Sequence, residues 1–200
     1  MGDGEVVLRR REDGARELRV NGVFVMDDAE TSSERLLARH VLDLGARDVL
    51  VGGLGLGFTT NELLTADVTR VVVAELHPEV VAAVQLPVDP RLRVVIDDVR
   101  DVVAAQARHS LDAILLDVDN GPDFLVHEQN AAVYHDDFVA TCASRLRDGG
   151  HLAIWSMADS EAVRAVLAEH FERVEAVAVP VRLQQRDEHY WVLTGSSPRR

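Results

Sequence analysis

The sequence of 200 residues predicts an α/β fold with a mainly parallel central sheet. Three observations lead to this prediction. From residue 48 onward, apolar runs typical of buried strands alternate with segments spaced like helices. The first of these strands leads into the glycine-rich turn VGGLGLGF (51–58). The last two strand candidates, 173–183 and 188–195, follow each other without a helix, as an antiparallel pair does at a sheet edge.

Residues 1–30 are predicted to form short β-strands that include a hairpin, and residues 31–200 the main domain. The segments EVVLRRR, RELRVNG and VFVMDD alternate apolar and polar side chains. Turn residues separate them at Asp13-Gly14 and Asn21-Gly22, the second of which is a favoured hairpin turn. From Ser33 the apolar spacing becomes helical, and this helix ends at Gly45.

The rest of the main domain is predicted as strands and helices in alternation. The strands are expected at 48–53, 70–76, 92–98, 111–119 and 151–157. The helices are expected at 58–65, 78–84, 100–108, 130–146 and 159–169. Trp155 and Trp191 fall in strands and are expected in the core, as is Cys142 on an apolar helix face.

Composition and charge exclude several classes of function. The net charge of −13 argues against a nucleic-acid partner, whose phosphates need a basic surface. All 21 basic residues are arginine, so a lysine Schiff base and a P-loop lysine are excluded. No apolar run approaches the roughly 18 residues that span a membrane, and the amino terminus lacks a signal-peptide pattern, so we expect a cytoplasmic protein. The single cysteine cannot form an internal disulfide.

The glycine-rich turn predicts a nucleotide-type ligand site. Gly53, Gly55 and Gly57 follow an apolar strand and precede a helix, where glycine lets the backbone turn tightly and approach a ligand. The turn does not fit GxGxxG strictly, because position 58 is Phe. A tight turn with no ligand is the alternative.

Acidic residues at the ends of successive predicted strands strengthen the ligand interpretation. Glu75 lies where an acidic side chain can accept hydrogen bonds from ribose hydroxyls, although it could instead cap the next helix. Asp98 ends the third strand of the main domain, and Asp117 and Asp119 end the fourth. An acidic rim suits adenosine attached to a positive sulfur better than a pyrophosphate. S-adenosylmethionine (SAM) is therefore favoured over a dinucleotide.

Asp117 and Asp119 are the candidate catalytic residues. Two residues apart on one regular strand, they would point the same way, and their like charges would raise one pKa to suit a general base. Asp119 could alternatively cap a turn at 120–122. His127-Glu128, close in sequence to 134–137, contains no strict metal-binding motif, and we predict no metal site.

Taken in order, five segments resemble the spermidine synthase-like family of polyamine aminopropyltransferases. The resemblance runs from about residue 17 to residue 157 and rests on NGVFVMDDAETSSERLLARHVL, VLVGGLGLGFTTNELL, VVVAELHPEVV, VVIDDVRDVV and LDAILLDVDNGPDFL. It implies a Rossmann-like class I SAM-methyltransferase fold with an antiparallel carboxyl-terminal hairpin. It also implies SAM, or its decarboxylated form, as the cofactor.

The resemblance assigns roles to individual residues. The loop from Gly53 to Phe58 would face the nucleoside, Glu75 would bind the ribose, and Asp98 with Val99 beside it would read the adenine. Asp117 would lie near the reacting centre. Tyr134 stands near a family aromatic residue that overhangs the substrate.

Several family residues are replaced in this chain. The loop aspartate that contacts the amino end of the donor in aminopropyltransferases is here Leu56. The aspartate that holds the attacking amine falls on Asn120, which remains a candidate substrate-binding residue. The family segment YHE appears as Ser32-Ser33-Glu34. These departures favour methyl transfer over aminopropyl transfer.

The sequence leaves three functions open. The first is a SAM-dependent methyltransferase acting on a small acceptor, which could be a cationic amine. The second is a genuine polyamine aminopropyltransferase using decarboxylated SAM, and the third is a catalytically silent nucleoside-binding or scaffold protein. The amino-terminal strands offer edges through which a homodimer could form.

Overall fold

The computed structural model describes residues 6–20, 22–29, 31–118, 121–122, 125, 128–183 and 186–200. Within these residues the amino-terminal strands form a three-stranded antiparallel sheet in the order β1-β2-β3. The strands are β1 (Val6–Arg10), β2 (Arg16–Val20) and β3 (Val23–Asp27). This confirms the predicted short strands, and the predicted division near residue 30 stays a prediction.

The main sheet contains seven strands in the described part of the chain, in the order β6-β5-β4-β7-β8-β10-β9. Their bounds are β4 (Asp48–Gly52), β5 (Arg70–Glu75), β6 (Leu92–Ile96), β7 (Leu111–Leu116), β8 (Leu146–Ser156), β9 (Phe171–Leu183) and β10 (Arg186–Pro198). Strands β4 to β8 pair in parallel, whereas β10 runs antiparallel to both β8 and β9. The predicted α/β class is confirmed, with β9 outermost in the antiparallel pair.

Helices connect the parallel strands. Those in the described residues are α1 (Ser32–Asp43), α2 (Phe58–Leu64), α3 (Pro78–Ala83), α4 (Val99–Ala104), a 3-10 helix (Glu128–Tyr134), α5 (Asp136–Arg145) and α6 (Glu161–His170). None of these helices combines the length and the apolar character that crossing a membrane requires.

Several predicted helix and strand bounds differ from the structure, and two of these differences have a clear local reason. The helix expected at 130–146 is divided, because His135 is extended (φ −80°, ψ 155°) between the 3-10 helix and α5. The strand expected at 151–157 begins earlier, at Leu146. Residues 147–150, RDGG, carry no apolar signal and lie at a register irregularity opposite β7, between the pairs Leu111–Leu146 and Ala113–His151.

The main sheet separates two apolar clusters. Val49 and Val51 of β4 point into the cluster beneath α1 and α2, while Leu50 points into the cluster beneath α4, α5 and α6. Leu18 of β2 is 1% exposed and belongs to the first cluster, so the small sheet packs on the same core. Each fully buried Leu or Val contributes roughly 1.5–3 kcal/mol. Packing on both faces fixes the strand ends at which the candidate site lies.

Candidate functional site at the carboxyl ends of the strands

The candidate site lies at the topological switch point of the main sheet, where successive strands are added on opposite sides of β4. β4 pairs with β5 on one side and with β7 on the other, so the order of strands reverses at β4. Ligands of open α/β sheets bind outside the carboxyl ends of the strands at such a point. The glycine turn follows β4, Glu75 ends β5, Asp98 follows β6 and Asp117 follows β7. Of the four predicted rim acids, Glu75, Asp98 and Asp117 therefore lie at the same edge of the sheet, and Asp119 lies outside the described residues.

The glycine turn has backbone conformations that require glycine. Gly53, Gly55 and Gly57 have φ angles of 89°, 50° and 83°. A Cβ on Gly53 would lie 2.1 Å from the carbonyl oxygen of Asp117, so the turn is pressed against the end of β7. Gly57 is the left-handed N-cap of α2. The turn is thus a tight one, and its role in binding a ligand stays a prediction.

Met26 of β3 covers the other side of the same turn. The backbone N–H of Leu56 donates a hydrogen bond to Met26 Sδ at 3.1 Å, and a Cβ on Gly55 would lie 2.6 Å from that sulfur. Leu56 itself is 5% exposed and belongs to the first apolar cluster. At the loop position where the resemblance implies a carboxylate, this chain therefore has a buried apolar side chain, with the thioether of Met26 against its backbone.

Glu75 ties the glycine turn to the end of β5. Its side chain is buried, with 8% of the residue exposed. Oε2 accepts a hydrogen bond from the backbone N–H of Leu54 (3.0 Å), and Oε1 accepts one from that of His77 (2.8 Å). An ionised carboxylate offers about four lone-pair sites, so Glu75 keeps capacity for further donors such as ribose hydroxyls.

Asp98 is engaged by a neighbouring arginine. It caps the amino terminus of α4, where Oδ1 accepts a hydrogen bond from the Arg100 backbone N–H (2.8 Å). The Arg100 guanidinium also donates to both carboxylate oxygens, with Nη2 2.6 Å from Oδ2. This hydrogen bonding lowers the pKa of Asp98 below its usual value. Val99, 8% exposed, packs beside β4, since its Cγ2 would lie 2.6 Å from a Cβ on Gly52.

Asp117 lies in a half-buried position between α1 and α2. Its Oδ2 is 3.0 Å from Thr59 Oγ1, which is also 3.3 Å from the backbone oxygen of Glu34. Desolvation by burial, with repulsion from Glu34, raises the pKa of Asp117 to about 7, against the lowering effect of the Thr59 hydrogen bond. A carboxyl group of that pKa is suited to accept a proton near neutral pH.

The geometry expected of Asp117 and Asp119 needs a correction. β7 ends at Leu116, so Asp117 follows the strand, and a regular strand running to residue 119 is not formed. Asp119 and Asn120 lie outside the described residues, and their roles stay predictions. Within the described residues, the pKa of Asp117 is raised by burial and Glu34.

The remaining predicted residues are placed as follows. Tyr134 is 6% exposed and packs in the second apolar cluster, and its contact with a substrate stays a prediction. Trp155 is 9% exposed in the first cluster, and Trp191 packs against the second. Cys142 is buried, which raises the pKa of its thiol.

Sequence reasoning missed several residues at this edge. Thr59 donates a hydrogen bond to Asp117, and the charge of Glu34 acts on the same carboxyl group. Both residues lie on helices that are distant from Asp117 in the sequence. Leu76 and Ile96 are apolar but 54% and 53% exposed, at the ends of the adjacent strands β5 and β6. Their exposure depends on where each strand ends, which the apolar pattern alone does not give.

One group of potential metal ligands lies elsewhere in the described residues. The ligand atoms of Asp136, Glu169 and His170 are within 4.8 Å of one another, and His170 Nε2 is 2.6 Å from Asp136 Oδ1. The group is largely exposed and includes a hydrogen bond between two of its members, so it does not by itself indicate a metal site.

Comparisons with known proteins identify the family and the fold. The methyltransferase small domain family matches residues 17–192. Polyamine aminopropyltransferase from Mycobacterium tuberculosis is 32% identical over 163 residues, which cover 75% of this chain and 30% of that protein. This chain thus spans about a third of the length of such curated relatives.

Solved structures show the same fold. Spermidine synthase in complex with the transition state analogue AdoDATO superposes with a TM-score of 0.81 at 16% identity, covering 98% of this chain and 71% of that one. The 1,6-didemethyltoxoflavin-N1-methyltransferase of Burkholderia thailandensis, with bound S-adenosylhomocysteine, superposes with a TM-score of 0.59 at 23% identity, covering 83% and 78%. At these identities the likeness concerns the fold alone.

Proposed function

Because this chain belongs to the methyltransferase small domain family, as a divergent spermidine synthase-like member, we propose that it is a SAM-dependent transferase that methylates a small acceptor. The observation that carries this proposal is the buried, apolar Leu56 with Met26 against its backbone, at the end of the glycine turn.

The residues at the strand ends fit an adenosine group. Glycine at position 53 lets the turn lie against the backbone of Asp117, where a Cβ would collide, so the turn is held at the carboxyl edge of the sheet. Glu75 supplies a fixed carboxylate with spare lone pairs at the end of the next strand. Exposed Leu76 and Ile96 supply apolar surface of the kind that a planar base covers.

Asp117 is placed to handle the proton of the acceptor. When bound, the donor supplies an alkyl group on a sulfonium, which leaves as a neutral thioether. What remains for the protein is to position the acceptor and to receive its proton. With a pKa raised to about 7, Asp117 is ionised in a large fraction of molecules at neutral pH and can accept that proton.

Leu56 favours methyl transfer. An aminopropyl donor carries a cationic amino end, which a carboxylate or other acceptor must bind. In this chain the corresponding loop position is apolar and 5% exposed, and Met26 covers its backbone. Burying an ammonium against these groups would leave its charge unpaired, at a cost of several kcal/mol.

Two other functions compete with methyl transfer. Aminopropyl transfer is favoured by the polyamine aminopropyltransferase of M. tuberculosis, at 32% identity. A silent nucleoside-binding protein is favoured by the replaced family residues, such as Leu56. The first would use decarboxylated SAM, and the second would bind a nucleoside without turnover.

The proposal is tested by restoring a carboxylate at position 56. Titration calorimetry of Leu56→Asp and of its neutral isostere Leu56→Asn, each with SAM and decarboxylated SAM, separates charge from shape. For each variant we compare the affinity for decarboxylated SAM with the affinity for SAM. We expect this ratio to be at least about tenfold higher in Leu56→Asp than in Leu56→Asn, because a charge-assisted hydrogen bond contributes roughly 1.5–3 kcal/mol. Equal ratios in the two variants would show that position 56 does not determine which donor is bound.

A further inference from the structure

Two histidines lie close together where α1 packs on the main sheet. His40 is in the last turn of α1, and its Nε2 is 3.0 Å from Thr194 Oγ1 of β10. His151 of β8 is 8% exposed, and its Nδ1 is 2.9 Å from Ser196 Oγ, also of β10. The candidate site described above uses neither histidine, so the pair calls for an explanation of its own.

The two histidines are neighbours because their hydroxyl partners are. Thr194 and Ser196 are two residues apart on β10, so their side chains lie on the same face of the sheet, about 7 Å apart. Ala153, which pairs with Thr194, belongs to the first apolar cluster, so this face is the one beneath α1. Both hydroxyl residues are buried. The imidazoles thus share one small polar layer within the contact between helix and sheet.

Protonation of these imidazoles is unfavourable in this layer. A protonated His40 would repel a protonated His151, and Arg173 of β9 acts on His151 with a further positive charge. Burial also removes the water that would solvate either cation. Desolvation is the largest cause that lowers the pKa of both histidines, and the two neighbouring positive charges add to it at His151. Such histidines are neutral near pH 7 and become charged, at a cost, when the pH falls.

The nearby carboxylates offset this cost only in part. Glu175 of β9 acts on both histidines, but it is exposed, so solvent screens its charge. Asp43 acts on His40 from the same helix. Asp112, which acts on His151 from β7, already accepts hydrogen bonds from a guanidinium and from two backbone N–H groups. In the described part of the chain, neither imidazole forms an ion pair with a carboxylate.

We propose that His40 and His151 form a pH-sensitive latch, which holds the carboxyl-terminal half of α1 on β10 while both imidazoles are neutral and releases it when they are protonated. Solvated histidines bind protons more readily than the buried pair, so acid favours the released state. Because both pKa values are lowered, the latch is fully present above about pH 6.5, the ordinary histidine pKa, and weakens as the pH falls below it.

The latch lies on the helix that borders the candidate site. Glu34, whose charge acts on Asp117, is in the first turn of α1. His40 follows six residues later, about 9 Å along the helix. Acid therefore loosens the same helix that places a negative charge beside Asp117. The latch itself does not depend on the proposed transfer reaction.

Hydrogen exchange of the full-length protein tests the latch. The backbone amides of α1 and α5 are compared at about pH 7.5 and about pH 5.5, after correction for the intrinsic pH dependence of exchange. Helix α5 is the reference, because it packs in the second apolar cluster on the other face of the sheet. At the lower pH we expect protection of the carboxyl-terminal half of α1 to fall at least about tenfold, and that of α5 to stay within about twofold.

A double variant separates the latch from general sensitivity to acid. His40→Gln places an amide near the position of Nε2, and His151→Asn places one near that of Nδ1, so both hydrogen bonds to the hydroxyls can form without a charge. The double variant should keep the protection of α1 at both pH values. The control His189→Asn, at an exposed position of β10, should lose it at the lower pH as the wild type does.

The proposal is overturned if α1 and α5 lose protection equally in the wild type, or if the double variant loses it as the wild type does. If the double variant does not fold, nuclear magnetic resonance titration of the wild type and of His40→Gln decides the matter. Removal of the charge at position 40 should raise the pH at which His151 is half-protonated. An unchanged midpoint would show that the two histidines do not act together, and would also overturn the latch.

Discussion

At the scale of single residues, two carboxylates at the same edge of the sheet have different surroundings. Glu75 accepts hydrogen bonds from two backbone N–H groups, which fix it in place. Asp117 has one hydroxyl partner, Thr59, and faces the negative charge of Glu34. Burial and the negative charge of Glu34 leave Asp117 with a pKa of about 7. These different surroundings are consistent with the two roles proposed above, binding for Glu75 and proton transfer for Asp117.

The raised pKa of Asp117 predicts a pH-dependent stability. A carboxyl whose folded pKa exceeds its unfolded value binds more protons in the native state, so stability falls as pH rises from about 4 through 7. Asp117→Asn removes this loss. We expect its free energy of unfolding to exceed that of the wild type by on the order of 2 kcal/mol at pH 8, and by much less at pH 5.

Chemical denaturation at the two pH values measures this difference. Asp187→Asn, at an exposed position of β10, is the matched control and should behave as the wild type at both. An advantage of Asp117→Asn that is the same at pH 5 and pH 8 would contradict the raised pKa. The variant should still bind S-adenosylhomocysteine, since Asn keeps the size of the side chain.

The site could be predicted only in part from the sequence. The acids at the strand ends were predictable, because each one lies within two residues of the end of an apolar run, as Glu75 and Asp98 do. Thr59, Glu34 and Met26 were not, because they reach the site from other elements through tertiary packing. Arg100 was equally hidden, although it lies two residues from Asp98, because a pair of that kind depends on side-chain conformation.

At the scale of elements, the junction of β4 and α2 shapes the site. Gly53 leaves the strand with φ 89°, and Gly57 starts the helix with φ 83°. Between them the turn is held from three sides, by the end of β7, by Glu75 and by Met26. The strand and the helix were predictable from periodicity, whereas the contacts that fix the turn between them depend on the whole sheet.

Alanine at Gly53 tests the close approach of this turn to β7. Gly53→Ala meets both an unfavourable φ and a contact of 2.1 Å with the Asp117 carbonyl oxygen, so we expect a loss of about 2–4 kcal/mol in stability. Gly14→Ala is the matched control, because Gly14 has nearly the same φ, 91°, with nothing within 4 Å of a Cβ. Its expected loss is about 1 kcal/mol. Denaturant unfolding measures both losses in stability. Equal losses for the two variants would show that the contact between a Cβ at position 53 and the Asp117 carbonyl oxygen costs no stability.

At the scale of the whole molecule, the small sheet and the main sheet share the first apolar cluster, and both contact the glycine turn. Leu18 places the small sheet on the cluster beneath α1 and α2, and Met26 brings it against the glycine turn. The parallel main sheet was predictable because its strands are apolar throughout. The position of β10 between β8 and β9 was not, because residue patterns specify strands but not their order.

Parallel calorimetric titrations of the wild-type protein with SAM and with decarboxylated SAM distinguish methyl transfer from aminopropyl transfer. We expect both donors to bind and SAM to bind more tightly, since Leu56 and Met26 offer no carboxylate to the amino end of the decarboxylated donor. Tighter binding of decarboxylated SAM would contradict methyl transfer and favour aminopropyl transfer. If neither donor binds, the protein is not a SAM-dependent transferase, and the glycine turn has a structural role only.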